Sequence, residues 1–337
     1  MTETKPQVSL GIRFDFRNPA FAGTSMSERY VAALDMVEWA DNVGFSNAGL
    51  SEHHGSADGY LPSALAMAAA FAARSKKMAI VIAAIVTSCH DPLSLAEQVA
   101  VVDNISGGRL VLGLVNGYVG SEFVMFDRPI NQRPKTTSEV VKTLREAFTG
   151  EPFEFRGRTV RVTPPPHQKP GPPILLGGTT EPAARRAARL GDGFMPANPT
   201  IWDAYRDELV KVGKPDPGPM AASGGTSFFH IATDVDKGWD AIAPYAMHEA
   251  NAYGEWMAEA GLSGVDVGGY AMAPDADTLK ATGQYRVVTP EDLLAELQTS
   301  APASLGFHPM MGGIPPEMAW ESLRLFESKV LPHIRPA

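Results

Sequence analysis

Two short stretches of this 337-residue sequence combine residue types that carry chemistry. The first is Ser51-Glu52-His53-His54-Gly55, a pair of imidazoles beside a carboxylate. Imidazole titrates near neutrality, so it can take a proton from a developing alcohol or hydroperoxide and give one back. A His-His pair is also an ordinary loop sequence; this one stands directly after a short strand pattern, Asn47 to Leu50. The second stretch is Gly177-Gly178-Thr179-Thr180-Glu181-Pro182. Its glycines let the backbone approach an anion, its hydroxyls and free amides can donate, and Pro182 suits the start of a helix. Arg185 and Arg186 follow about one helical turn in, and helical side chains lean towards the N-terminus, so either can reach an anion held there. Glu181 opposes that unless it points away, and the same residues also read as a capped helix with no ligand.

Both stretches need a scaffold, and the rest of the chain supplies a strand-then-helix rhythm of about eight units, the pattern of a (β/α)₈ TIM barrel. Expected strands are Val8 to Phe14, Asn47 to Leu50, Met78 to Val86, Arg109 to Val115, Ile174 to Leu176, Phe194-Met195, Ser227 to Thr233 and Ser304 to Met310. Expected helices are Glu28 to Val43, Leu61 to Arg74, Pro92 to Ser106, Pro134 to Thr149, Pro182 to Leu190, Thr200 to Val212 and a closing one from Pro316 to Leu331. Gly44 and Gly107-Gly108 stop two of them, Pro92 starts one, and Phe153 to Val162 reads as an extra hairpin. Residues 1–337 thus read as one domain, with an insertion at about 235–303 between strands seven and eight. Its Gly254, Gly261, Gly264, Gly268 and Gly269 suit either a mobile cover or a packed helical excursion. In such a barrel the chemistry lies at the C-terminal ends of the strands, where both stretches fall.

Composition narrows the classes. A formal charge of -9, from 29 basic and 38 acidic residues, argues against nucleic-acid and anionic-membrane partners. Cys89 is the single cysteine, which excludes an intramolecular disulfide and a cysteine-built zinc site and fits a reducing compartment, the cytoplasm by default. The polar stretch Met1 to Leu10 has no apolar signal core, and the run Met78 to Val86 is too short to span a membrane. His90 and Asp91 complete no spaced metal-ligand set, so no metal is expected. Phosphate-loop and dinucleotide fingerprints are missing after every strand pattern.

In these residues the chain resembles the bacterial luciferase-like monooxygenases, over nearly its whole length. The segments that carry the resemblance are Gly44-Phe45 to Glu52-His53-His54, then Ala83-Ala84-Ile85-Val86 to Asp91-Pro92 and Ala96-Glu97. Asp103 to Leu110, Gly177-Gly178 to Gly193, and Leu325 to Pro332 complete it. The resemblance implies a flavin-dependent monooxygenase that uses reduced FMN and oxygen on a small apolar substrate such as an aldehyde, ketone, terpene or sulfur compound. It gives His53 the catalytic acid/base role, makes Ala83-Ala84 a cis peptide against the flavin, and sets Gly177, Gly178, Thr179 and Thr180 around the FMN phosphate. Where that family tends to place an arginine for this phosphate, this sequence has Asn116, so Arg185 or Arg186 would compensate. The resemblance also implies a homodimer and admits a separate flavin reductase. A deazaflavin-dependent dehydrogenase or reductase of the same superfamily, or a non-catalytic flavin-binding protein, remain the alternatives.

Overall fold

The computed structural model describes residues 5–220, 228–262, 272–299 and 303–337. In chain order, the first half contains β1 (Gln7–Phe14), α1 (Met26–Val43), β2 (Asn47–Leu50), α2 (Ala64–Arg74), β3 (Ala79–Val86), α3 (Pro92–Ser106), β4 (Leu110–Val115), α4 (Gly120–Met125), α5 (Arg133–Ala147), and the strands β5 (Phe153–Phe155) and β6 (Arg158–Val160). The second half contains β7 (Ile174–Gly178), α6 (Glu181–Leu190), β8 (Gly193–Pro196), α7 (Trp202–Lys211), β9 (Phe228–Ile231), α8 (Val235–Glu259), α9 (Ala276–Ala281), β10 (Tyr285–Val288), α10 (Pro290–Thr299), β11 (Ala303–Phe307), α11 (Pro316–Leu325) and β12 (Arg335–Pro336).

The main sheet is parallel and curls into a half-barrel in the order β11-β1-β2-β3-β4-β7-β8, with β12 added beside β1. Parallel pairing requires a crossover between neighbours, and the helices provide it on the outer face. Local chemistry sets the element ends. Ser25 and Glu28 form a reciprocal capping box at the start of α1, and Gly44 ends it at φ 97°. Asp91 accepts from the amides of Leu93 and Ser94 at the start of α3, with Pro92 in the first turn. In α6 the stripe Ala183, Ala184, Ala187, Ala188 is buried while Arg189 faces outward. Small residues let α6 lie close on the sheet: a Cβ on Gly178 would stand 2.4 Å from the Cβ of Ala183. That close fit sets the start of α6 over the end of β7.

Two expectations need correction. The seventh strand spans Phe228–Ile231, with Ser227 outside the described residues, and its ladder partner is β10 rather than a neighbour in the main sheet. β10 lies within the expected insertion, where a four-residue run gives no periodicity to separate it from helix. β9 still packs beside β11 through side chains, with the rings of Phe229 and Phe307 4.9 Å apart. The closing helix is α-helical only to Leu325; a wider π-turn over Phe326–Val330 follows, keeping both of those residues buried. The expected insertion otherwise contains α8, α9 and α10, while Gly264, Gly268 and Gly269 lie outside the described residues. No helix among the described residues is long and apolar enough to cross a membrane.

Candidate functional site: a cavity at the strand ends

A cavity of about 660 Å³ opens at the C-terminal ends of the strands, within the range of small-molecule and cofactor sites. Its wall includes every residue singled out from sequence as catalytic or cofactor-binding: His53, Ala83, Ala84, Asn116, Gly177, Gly178, Thr179 and Thr180. The Ala83-Ala84 peptide on that wall is cis.

One end of the cavity is built on glycines and cations. A Cβ on Gly177 would meet the Val115 side chain at 2.6 Å, so only glycine fits there. Thr180 caps α6, its hydroxyl accepting from the amide of Ala183 at 3.4 Å. The two candidate arginines separate. Arg185 pairs with Glu181 and Glu208 away from the cavity, which also draws the Glu181 carboxylate outward. Arg186 lines the cavity and donates to Asn116 Oδ1 at 3.2 Å, an oxygen that also accepts from the Thr137 hydroxyl at 2.7 Å. Burial, and then the nearby Arg189, lower the pKa of Arg186, so an anion would relieve a partly desolvated guanidinium. Arg133, from the start of α5, lines the same end. Sequence reading missed it, because nothing adjacent in the chain marks it.

The other end is aromatic and dry. His53 is 8 % exposed, and its Nδ1 lies 2.8 Å from Glu122 Oε1. The Trp256 ring lies along it at 4.3 Å, tilted by 30°, and Tyr60 meets it edge-on at 4.9 Å. Tyr60 and Tyr253 share a hydroxyl hydrogen bond of 2.8 Å. Behind these rings sits Arg17, fully buried, over Tyr60, Tyr253 and Trp256 at 4.6 to 4.8 Å and paired with Asp58. α8 thus brings Tyr253 and Trp256 to the histidine, with Met257 on the same cavity wall; all three lie in the expected insertion, whose sequence suits either a cover or a packed excursion.

His54 is placed differently. Its Nε2 lies 3.2 Å from Glu52 Oε1, which also takes His90 Nε2 at 2.8 Å and the amide of Val86 at 3.1 Å. Burial pushes the Glu52 carboxyl up, but its bonds with His54 and His90 outweigh that and hold it down at about 2. The fold therefore gathers Glu52, His54 and His90 into a cluster of metal-ligand types that sequence spacing did not reveal. A second such cluster joins Asp15, Glu249 and His308, with His308 at 3.4 Å from Asp15 and 3.6 Å from Glu249.

Comparison with known proteins agrees with this architecture. The luciferase-like monooxygenase profile matches residues 9–293. Among curated sequences, an FMNH2-dependent dimethylsulfone monooxygenase of Pseudomonas putida is 27% identical over 54% of this chain and 54% of its own. An F420-dependent glucose-6-phosphate dehydrogenase of Amycolatopsis mediterranei is 26% identical over 64% of this chain and 66% of its own. The chain spans about half the length of the curated relatives it matches first. Among solved structures, the oxygenating constituent of the Pseudomonas putida 3,6-diketocamphane monooxygenase, in complex with FMN, has a TM-score of 0.69 at 18% identity, covering 99% of this chain and 100% of that one. At that identity the likeness is one of fold.

Proposed function

The chain belongs to the luciferase-like monooxygenase family, a group of flavin- or F420-dependent oxidoreductases, and on that premise we propose that it is an FMN-dependent monooxygenase of a small apolar substrate. The observation that carries this reading is the single cavity with an anion-suited end at Gly177 to Thr180 and Arg186 and a buried imidazole at His53. The residues fit FMN: glycines that leave room for close approach, hydroxyls and a half-buried guanidinium for a phosphate, and the Ala83-Ala84 wall between the two ends. Reduced FMN, when bound, supplies the electrons that activate oxygen.

The chain's own residues do the rest. Thr179, Thr180 and Arg186 hold the phosphate, with Asn116 orienting Arg186 through its side-chain oxygen. Tyr60, Tyr253, Trp256 and Met257 exclude water around His53 and offer an apolar surface to the substrate. His53 gives and takes the proton that oxygen transfer requires. α8 acts as the cover over this end. A homodimer, a separate reductase that delivers the reduced flavin, and a cytoplasmic location belong to the same proposal.

The experiment is a titration of the purified chain with FMN and with coenzyme F420, followed by oxygen consumption with reduced FMN and candidate ketones, aldehydes and sulfur compounds. Tight FMN binding and substrate-dependent oxygen uptake are expected. Binding of F420 alone would replace the proposal with an F420-dependent dehydrogenase activity, the kind named for the Amycolatopsis relative.

A further inference from the structure

We propose that Glu122 is the positioning residue of this centre: its carboxylate fixes His53 as the Nδ1–H tautomer and leaves Nε2 as the nitrogen that exchanges the proton. The proposal rests on the reading of His53 as acid/base and adds the element that determines which edge of the ring works.

Two neighbouring histidines are served by two different carboxylates. Glu52 takes the His54 ring, together with His90 and a backbone amide, and that ring packs edge-on against Phe126 at 4.7 Å. Glu122 takes the His53 ring and the backbone amide of His54, at 2.8 and 2.9 Å through the same oxygen, Oε1. Its side chain is wholly buried, and Oε2 has no hydrogen-bond partner among the described residues. Oε1 already serves as acceptor for the His54 amide, so the hydrogen shared with His53 belongs to Nδ1. With Nδ1 tied, Nε2 is the nitrogen left for the cavity that His53 lines.

The surroundings hold this geometry. α4 is a short helix whose second residue, Ser121, donates its amide to Glu259 near the end of α8 at 2.9 Å. The element carrying Glu122 is thereby tied to the element carrying Trp256, which covers the other face of the histidine. The titratable and charged groups facing the pair are Tyr60, Tyr118 and Tyr253 around the ring, Arg17 behind Tyr60 and Tyr253, and Cys89 beside the carboxylates. The Cys89 thiol is pushed up to about 12 by burial and then by Glu122 and Glu52, as expected for a thiol beside ionised carboxylates.

The test is long-range ¹H–¹⁵N correlation of the full chain labelled at histidine nitrogen, with the His53 signals assigned by their loss in His53→Gln. The wild-type chain should show His53 as the Nδ1–H tautomer. In Glu122→Gln, whose side chain can donate as well as accept, the His53 ring should populate both tautomers, and Glu122→Asp should keep more of the Nδ1–H form. A wild-type Nε2–H tautomer overturns the proposal without any variant, so it stays testable even if Glu122→Gln fails to fold. A His53 tautomer balance unmoved in a folded Glu122→Gln also overturns it. Because these readouts need no turnover, either result removes Glu122 and leaves the separate question of whether His53→Ala abolishes activity.

Discussion

The two ends of the cavity are built on opposite principles. At the anion end, Thr179 and Thr180 are exposed, the key contacts are backbone and hydroxyl groups, and glycine at Gly177 and Gly178 is required by packing. At the histidine end His53 and Glu122 are buried, His53 is matched to a carboxylate 69 residues away, and aromatic rings from α8 pack over it. The first end centres on one strand-to-helix turn, which Asn116 and Arg133 join from elsewhere in the chain. The second exists only when β2, α4 and α8 come together. The proposed binding role therefore draws more on local sequence, and the proposed proton-transfer role on the tertiary fold.

The largest effect that separates the two ends is expected at His53. His53→Ala should lower coupled oxygen turnover by about 10²–10⁴-fold, the usual worth of general acid/base catalysis. FMN affinity should stay close to wild type, while thermal stability should fall, because the wholly buried Glu122 carboxylate loses its ring partner. His54→Ala should cost far less rate; it too should lower stability, because it strips Glu52 of one of its bonds. Steady-state oxygen uptake and thermal denaturation read the two quantities, and equal rate losses in both variants would erase the distinction between the histidines.

This asymmetry also explains what the sequence disclosed. Consecutive, punctuated signals were legible: Gly44 as a helix stop, Asp91-Pro92 as a helix start, the β-branched run of β3, and Gly177 to Pro182 as a strand-to-helix turn. His53 was legible because it follows a strand directly. Its partner Glu122 lies 69 residues away, and Tyr60 meets Tyr253 across 193, so no local pattern linked them. Four-residue β10 carried too little periodicity to be found, and Arg185 and Arg186 were inseparable until α6 fixed which one faced inward.

The next effect sharpens the comparison through pH. The Glu52 carboxyl stands at about 2 in the folded chain against an ordinary 4.5, because His54 and His90 outweigh the opposing effect of burial. A depressed carboxyl contributes stability that is present above 4.5 and is lost as pH falls towards 2. The shift corresponds to about 3 kcal/mol. Buried His230, held down at about 4 against 6.5 by desolvation, gives a separate loss as pH falls from 6.5 to 4. Urea denaturation across this range should show Glu52→Gln with a flatter stability profile below pH 4.5 and an unchanged slope above it. Parallel profiles for the two chains would mean that the histidine end draws no stability from this carboxylate.

The smallest effects belong to the anion end, where exposed hydroxyls share the ligand with water. Arg186→Gln should weaken FMN by about 1.5–3 kcal/mol, the range for hydrogen bonds to charged groups. That is roughly a 10- to 150-fold rise in Kd. Thr180→Ala should fall near the lower figure, since its hydroxyl already accepts from the Ala183 amide and has only its own hydrogen to give. The same change removes a helix cap, which costs about 1 kcal/mol of stability, and Thr180→Ser should restore both. Riboflavin, which lacks the phosphate, separates the contributions: neither variant should alter its affinity. Calorimetric titration with FMN and riboflavin side by side gives the answer. An equal loss for both ligands would mean that Arg186 and Thr180 shape the cavity rather than grip a phosphate. An unchanged FMN affinity in both variants would put the phosphate elsewhere, with Arg133 as the next cation to substitute.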